Sequence, residues 1–309
     1  MRLCHMRVLL VAILLLTGLL AGCSRPSVPA ASSTGAIPSP SAAPAASGAV
    51  TPPARPELIL ATTTSTQDSG LLDVLIPDFE ARTGYQVKPV AVGSGAALKM
   101  GEDGNADVLL VHSPAAEEAF MAKGAGVDRR LVMHNDFVIV GPPGDPAHIK
   151  GQAALPAMKG IAAAGALFVS RGDASGTNAL ELSLWKQVGI DPVGKAWYIV
   201  SGQGMGATLN VTDEKNAYTI SDRATYQAFK ARLQLQILVE KDRVLLNIYH
   251  VIRVNPAKQP SVNTAGAQAF ADYLVAPAGQ ALIAGFGAQK YRQALFVPDA
   301  GKSEVSLGQ

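Results

Sequence analysis

The residues best equipped for chemistry lie in four loops that share one grammar: an apolar run, a Gly/Ser/Thr turn, then the start of a helical pattern. They are ILATTTSTQDSG (59–70), VAVGSGAAL (90–98), LFVSRGDASGTNAL (167–180) and YIVSGQGMGATL (198–209). A helix amino terminus offers unpaired N–H groups and partial positive charge, which suits an anion. Hydroxyls add donors without adding net charge, and glycines let the backbone come close. SRGDASGT is the sharpest of the four. Arg171 supplies a permanently charged planar fork for an oxyanion, and Ser175, Gly176 and Thr177 open the next helix with hydroxyls and N–H donors. Asp173 has two readings: a clamp on Arg171, or an acceptor for the proton of a ligand such as hydrogen phosphate. Within ATTTS, strand alternation sends neighbouring side chains opposite ways, and one hydroxyl is enough to cap a helix. Of Thr62, Thr63, Thr64 and Ser65, some therefore cap or pack, and Thr64 and Ser65, nearest the helix start, are the expected ligands.

Catalytic machinery is not expected. The histidines beyond the leader, His112, His134, His148 and His250, are scattered without metal-ligand spacing, and no base–nucleophile pair stands out. His112, at a strand end, either approaches the site or packs in the interior; the second is favoured. GQGMG brings its third glycine one residue too early for a dinucleotide fingerprint, and no GxxxxGK[ST] phosphate loop occurs. DRATY (222–226) and EKDR (240–243) read as solvated or ion-paired surface, and Trp197, Tyr218 and Tyr249 as packing residues.

The elements that must carry these loops alternate short apolar runs with amphipathic stretches, an α/β signature. Strands are expected at 58–61, 85–92, 106–111, 135–140, 167–169, 197–200, 217–220, 235–239 and 245–254. Helices are expected at 71–82, 96–101, 114–123, 177–188, 207–214, 221–230, 266–274 and 279–286. In an open parallel sheet every loop of the set falls at the carboxyl edge, where α/β proteins bind ligands. Two α/β sets joined by extended crossings near Phe137 and Ile248 make a bilobal clamp, with residues 57–138 plus 250–309 as one lobe and 139–249 as the other.

Residues 1–22 read as an export signal: Arg2 and Arg7, an apolar run shorter than a membrane span, and small residues before Cys23. The Leu-Ala-Gly-Cys ending is similar to a bacterial lipobox, which implies lipidation at Cys23 and a membrane anchor. Residues 23–56, rich in Pro, Ala and Ser, read as a disordered tether. Cys4 leaves with the signal, so neither an internal disulfide nor a cysteine-based metal site is expected. Without the signal, 24 basic residues face 24 acidic ones. Such a body lacks the positive field of a nucleic-acid binder, so an anion must be held by local geometry.

ATTTS, ADVLLVH-SPAAEE, GVDRR, NDFVIVGP, FVSRGDASGT, GQGMGATLN and LFVPD, in this order over residues 58–299, together resemble the TupA-type tungstate-binding proteins of bacterial ABC importers. The resemblance implies an α/β fold of two Rossmann-like lobes with the ligand cleft between them, the type II periplasmic-binding-protein class. It also implies a monomeric extracytoplasmic receptor that carries tungstate, with molybdate as a near-isostere, to permease and ATPase subunits, without a cofactor. Matched position by position, it puts the TTTS residues at 62–65, including Thr63, Thr64 and Ser65, and the binding arginine at Arg171. Ser94, Ser175, Gly176, Thr177 and the loop from Gly204 and Met205 to Thr208 become the neighbouring donors. One departure is the return segment, where a sequence close to N-P-Y-G is expected and Asn247-Ile248-Tyr249-His250 stands instead. Because R-x-D-x-S-G-T is also similar to phosphate-binding proteins, a phosphate receptor is the nearest alternative. A phosphate-ester hydrolase and a sensor ectodomain are more distant ones.

Overall fold

The computed structural model describes residues 52–307. The signal, Cys23 and most of the tether lie outside the described residues. Arg55 and Pro56, assigned above to the tether, belong to the body: Asn263 Nδ2 donates to the Arg55 carbonyl at 2.9 Å, and Gln86 N–H to that of Pro56 at 2.8 Å.

The first part of the chain builds β1 (Glu57–Thr63), α1 (Thr64–Asp68), α2 (Leu72–Thr83), β2 (Gln86–Val92), α3 (Ser94–Glu102), β3 (Val108–Val111) and α4 (Pro114–Ala122). A long strand, β4 (Gly126–Gly141), leads to α5 (Ala154–Ala164), β5 (Phe168–Ser170), α6 (Gly176–Gln187), β6 (Tyr198–Val200), α7 (Met205–Glu214), β7 (Thr219–Asp222), α8 (Arg223–Phe229) and β8 (Gln236–Val239). The chain returns through β9 (Leu246–Val254) to α9 (Thr264–Val275), α10 (Pro277–Gly285), α11 (Ala288–Tyr291) and β10 (Val297–Pro298).

The sheet is mixed rather than wholly parallel. β1 runs parallel to β2 and β3, but β3 pairs antiparallel with β9, and β9 antiparallel with β4. β4 changes partners partway along: its pairing with β9 ends at Asp136↔Leu246, and that with β7 begins at Phe137↔Asp222. One strand thus serves two layers, each with its own apolar packing. On β1, Leu58 and Leu60 face a core with Leu75, Phe79, Phe270 and Phe296, while Ala61 faces a second with Leu98, Leu109 and Phe120. Beyond Phe137, other cores gather Ile139, Ile161, Phe168, Trp185 and Tyr218, and Val138, Met205, Leu209 and Tyr226. Burying each such side chain contributes roughly 1.5–3 kcal/mol, enough to hold the strand ends that carry the loops. Asn247-Ile248-Tyr249-His250 continues β9 without a break, paired with β4.

Candidate functional site

Alternation along β1 sends Thr62 away from the loop, where its hydroxyl donates to the Leu110 carbonyl at 2.8 Å. Thr63 is still extended (φ −113, ψ 152), and its Oγ1 accepts the Thr66 N–H, so α1 starts on the last strand residue with no linker. Thr64 and Ser65 then fall in the first helical turn, and both face Arg171. The guanidinium donates to Thr64 Oγ1 from Nη2 (2.8 Å) and to Ser65 Oγ from Nη1 (3.2 Å).

Arg171 follows β5 and is 1% exposed. Besides the α1 hydroxyls it reaches Thr177 Oγ1 (3.3 Å) and Asp173 Oδ2 (2.5 Å), while Asp173 Oδ1 accepts the Ser175 N–H. Of the two readings of Asp173, the structure shows the clamp. Ser175 caps α6 by accepting the Asn178 N–H. Arg171 cannot accept, so Thr64, Ser65 and Thr177 all use lone pairs on it, and each keeps its own hydroxyl proton to donate elsewhere. Two further buried polar atoms, Arg171 Nε and Ser94 Oγ, have no partner among the described residues. Leaving such donors unpaired is costly, so their natural complement is an acceptor. Ser94 opens α3 behind Gly93, which has no side chain to cap it. Glycines bring α3 close to the Arg171 loop: a Cβ on Gly93 would lie 3.0 Å from the Asp173 carbonyl oxygen, and one on Gly95 3.0 Å from that of Ala174.

α1 is gripped from the far side as well. The Met205 N–H donates to Thr64 Oγ1 (3.4 Å), the Gly206 N–H to Asp68 Oδ2 (2.9 Å), and Thr225 Oγ1 to the Ser65 carbonyl (3.1 Å). Burial pushes Asp68 upward, against the pull of the Gly206 N–H, and raises buried Asp222 to about 6. Both shifts come chiefly from desolvation, which disfavours the charged carboxylate. Burial, reinforced by the charge of Arg171, holds His112 down at about 3. Among the described residues, no group of three His, Cys, Asp or Glu is placed to hold a metal ion.

Residues 38–278 match the PBP superfamily domain. The chain is 52% identical over 254 residues to the tungstate-binding protein TupA of Peptoclostridium acidaminophilum, covering 81% of this chain and 88% of that one. It belongs to the TupA family. TupA of Desulfovibrio alaskensis G20 matches in structure with a TM-score of 0.67 and 49% identity, over 79% of this chain and 99% of that one. The tungstate ABC transporter structure from Geobacter sulfurreducens gives 0.69 and 49%, over 74% and 98%. The fold is the two-lobed α/β architecture of periplasmic binding proteins, and the TupA relatives are named as binding proteins, not enzymes.

In this TupA-family chain the predicted residues gather in one place but differ in employment. Thr64, Ser65, Arg171 and Thr177 form a bonded cluster, Ser94 presents a free hydroxyl, and Ser175 and Gly176 start α6. Thr63 is occupied as the α1 cap. Met205 N–H is committed to Thr64, and Gly204 lies where a Cβ would sit 3.1 Å from the Thr64 side chain. DRATY is ion-paired as expected, through Arg223 to Asp136 and Glu240, but it is not all surface: Asp222 and Thr225 are fully buried, Asp222 capping α8 and Thr225 holding the Ser65 backbone. EKDR is the expected exposed, ion-paired segment, with Glu240 bonded to Arg223, and Asp242 in it also accepts the Ala154 N–H. The sequence reading also missed Asp68. Its signal was its place four residues after Thr64, legible only once the hydroxyl run is read as a helix.

Proposed function

We propose that this chain binds tungstate at the Arg171 site, between lobes that part where β4 and β9 cross, and delivers it as a monomer to an ABC permease and ATPase. The observation that carries the reading is the donor set: a buried guanidinium with a free Nε, three hydroxyls whose lone pairs it occupies, and the free Ser94 hydroxyl beside it. Tungstate is a dianion with no proton at neutral pH, so its oxygens only accept. Molybdate, nearly isosteric, is bound by the same donors. Asp173 serves here as the clamp on Arg171, with its other oxygen on the Ser175 N–H, and a ligand that brings no proton needs nothing more from it, which favours tungstate over hydrogen phosphate. Export and lipidation at Cys23 complete the reading, placing the receptor outside the cytoplasm on a membrane. Loss of fatty-acid labelling in Cys23→Ser tests the anchor.

A thermal-shift screen of the body with tungstate, molybdate, sulfate and phosphate tests the ligand. A ligand at 100 times its dissociation constant adds about 2.7 kcal/mol to stability. Tungstate and molybdate should raise the melting temperature at concentrations where sulfate and phosphate do not; a shift led by phosphate contradicts the reading.

A further inference from the structure

His112 lies outside the Arg171 cluster, yet it touches the α1 cap, the start of α6 and the strand β9. It follows β3 and is 3% exposed. Its Nε2 stands 3.1 Å from Thr63 Oγ1, the atom that caps α1 and that also pairs with Thr66 Oγ1 at 2.8 Å. Its ring packs on Tyr249 of β9, 4.7 Å between centroids, and Gly176, at the start of α6, fits against it so closely that a Cβ there would lie 2.9 Å from Nδ1. On the crossing strands, Asn247 Nδ2 donates to Asn135 Oδ1 (2.7 Å) and Tyr249 Oη (2.9 Å), and Asn135 and Asn247 are direct partners across β4 and β9. The Asn247 side chain lies beside the imidazole, and among the described residues neither Nδ1 nor Asn247 Oδ1 has a hydrogen-bond partner.

Donor and acceptor rules give this chain one direction. Both amide hydrogens of Asn247 are spent on Asn135 and Tyr249, so its unpaired oxygen can only accept, and of the two neutral tautomers the one with Nδ1–H complements it. Nε2 is then an acceptor and takes the Thr63 hydroxyl proton. Thr63 Oγ1 keeps its lone pairs for the Thr66 N–H and hydroxyl, as a cap requires. We propose that His112 is a positioning residue: in its Nδ1–H form it links the crossing strands to the Thr63 cap, and so sets where Thr64 and Ser65 stand against Arg171. Desolvation and the nearby guanidinium keep the ring neutral, which the acceptor role demands. The inference rests on the reading of the Arg171 cluster as the tungstate site.

Two substitutions separate this role from packing. Glutamine carries its amide roughly where Nε2 lies, asparagine where Nδ1 lies, and both remove the ring from Tyr249. His112→Gln should keep tungstate affinity near wild type, while His112→Asn, which loses the Thr63 bond, should weaken it roughly three- to ten-fold in calorimetry. Equal effects, or none, overturn the proposal. In the unaltered protein, ¹⁵N-histidine spectra should show His112 neutral with Nδ1 protonated from pH 5 to 8. An Nε2–H tautomer or an imidazolium overturns it even if neither variant folds. If wild type binds no tungstate, the ligand assignment fails instead, and the tautomer still decides the relay.

Discussion

Replacing Asp222 by asparagine should change how stability depends on pH, with a sign opposite to that of replacing His112. Stability changes by about 1.36 kcal/mol per pH unit for each proton by which the unfolded and native states differ. Asp222, fully buried, is raised from 3.8 to about 6, so the native state holds its proton in a range where the unfolded chain has lost it. Its contribution is full below 3.8 and is lost as pH rises through 6. His112, lowered from 6.5 to about 3, does the reverse: its contribution is full above 6.5 and drains away as pH falls toward 3. Between roughly pH 4 and 6 each state carries one proton on this pair, so the two slopes cancel. Asp222→Asn keeps an acceptor for the Thr225 N–H and removes the buried charge. The variant should exceed wild type by about 2–3 kcal/mol at pH 7, with the gain vanishing near pH 4. For His112→Gln, the difference from wild type should instead rise by about 1.4 kcal/mol per unit as pH falls from 6 to 4. Urea unfolding of the ligand-free protein across pH 4–7.5 reads both. Difference curves that stay flat, or slope the same way, refute the reasoning.

Arg171→Ala should weaken tungstate by about 2–5 kcal/mol in calorimetry, since it removes a buried charge and leaves Asp173 facing the dianion without its clamp. Adding Asp173→Asn to that variant should recover part of the loss by removing the repulsion. Asp68→Ala, which frees the Gly206 N–H, should accelerate tungstate release in stopped-flow displacement while leaving the association rate nearly unchanged. In Gly176→Ala, a Cβ would meet the His112 carbonyl oxygen at 2.6 Å, a backbone atom that cannot swing aside. Small-angle scattering with tungstate should then show a less compact particle than wild type.

Strand and helix positions were largely legible because buried runs such as VLLV at 108–111 carry their own periodicity. Strand direction was not, since nothing local in β9 tells it to run against β3. The first half of β4 escaped notice because Arg129 and Arg130 interrupt its apolar pattern. Their partners are Glu117 on the preceding helix and Glu304 and Asp272 from distant parts of the chain. α1 was invisible for another reason: TSTQD has poor helix formers and only five residues, and it is held by contacts to Arg171, Thr225 and Gly206 rather than by propensity. α5, ALPAMKGIAAA, starts behind Ala153 without a side-chain cap, so no residue signals its beginning. At the site, residue types announced an anion, while the division of labour needed coordinates. Thr62 and Thr63 proved occupied, Asp173 bonded, and Asp222 buried behind a segment that looked like surface.

Tungsten scatters X-rays anomalously, so a crystal of the tungstate-loaded protein locates the ligand directly. One anomalous peak is predicted between α1 and the Arg171 loop, with ligand oxygens in hydrogen-bond reach of Arg171 Nε and Ser94 Oγ. A peak elsewhere, with those two atoms paired to protein groups instead, would contradict the assignment.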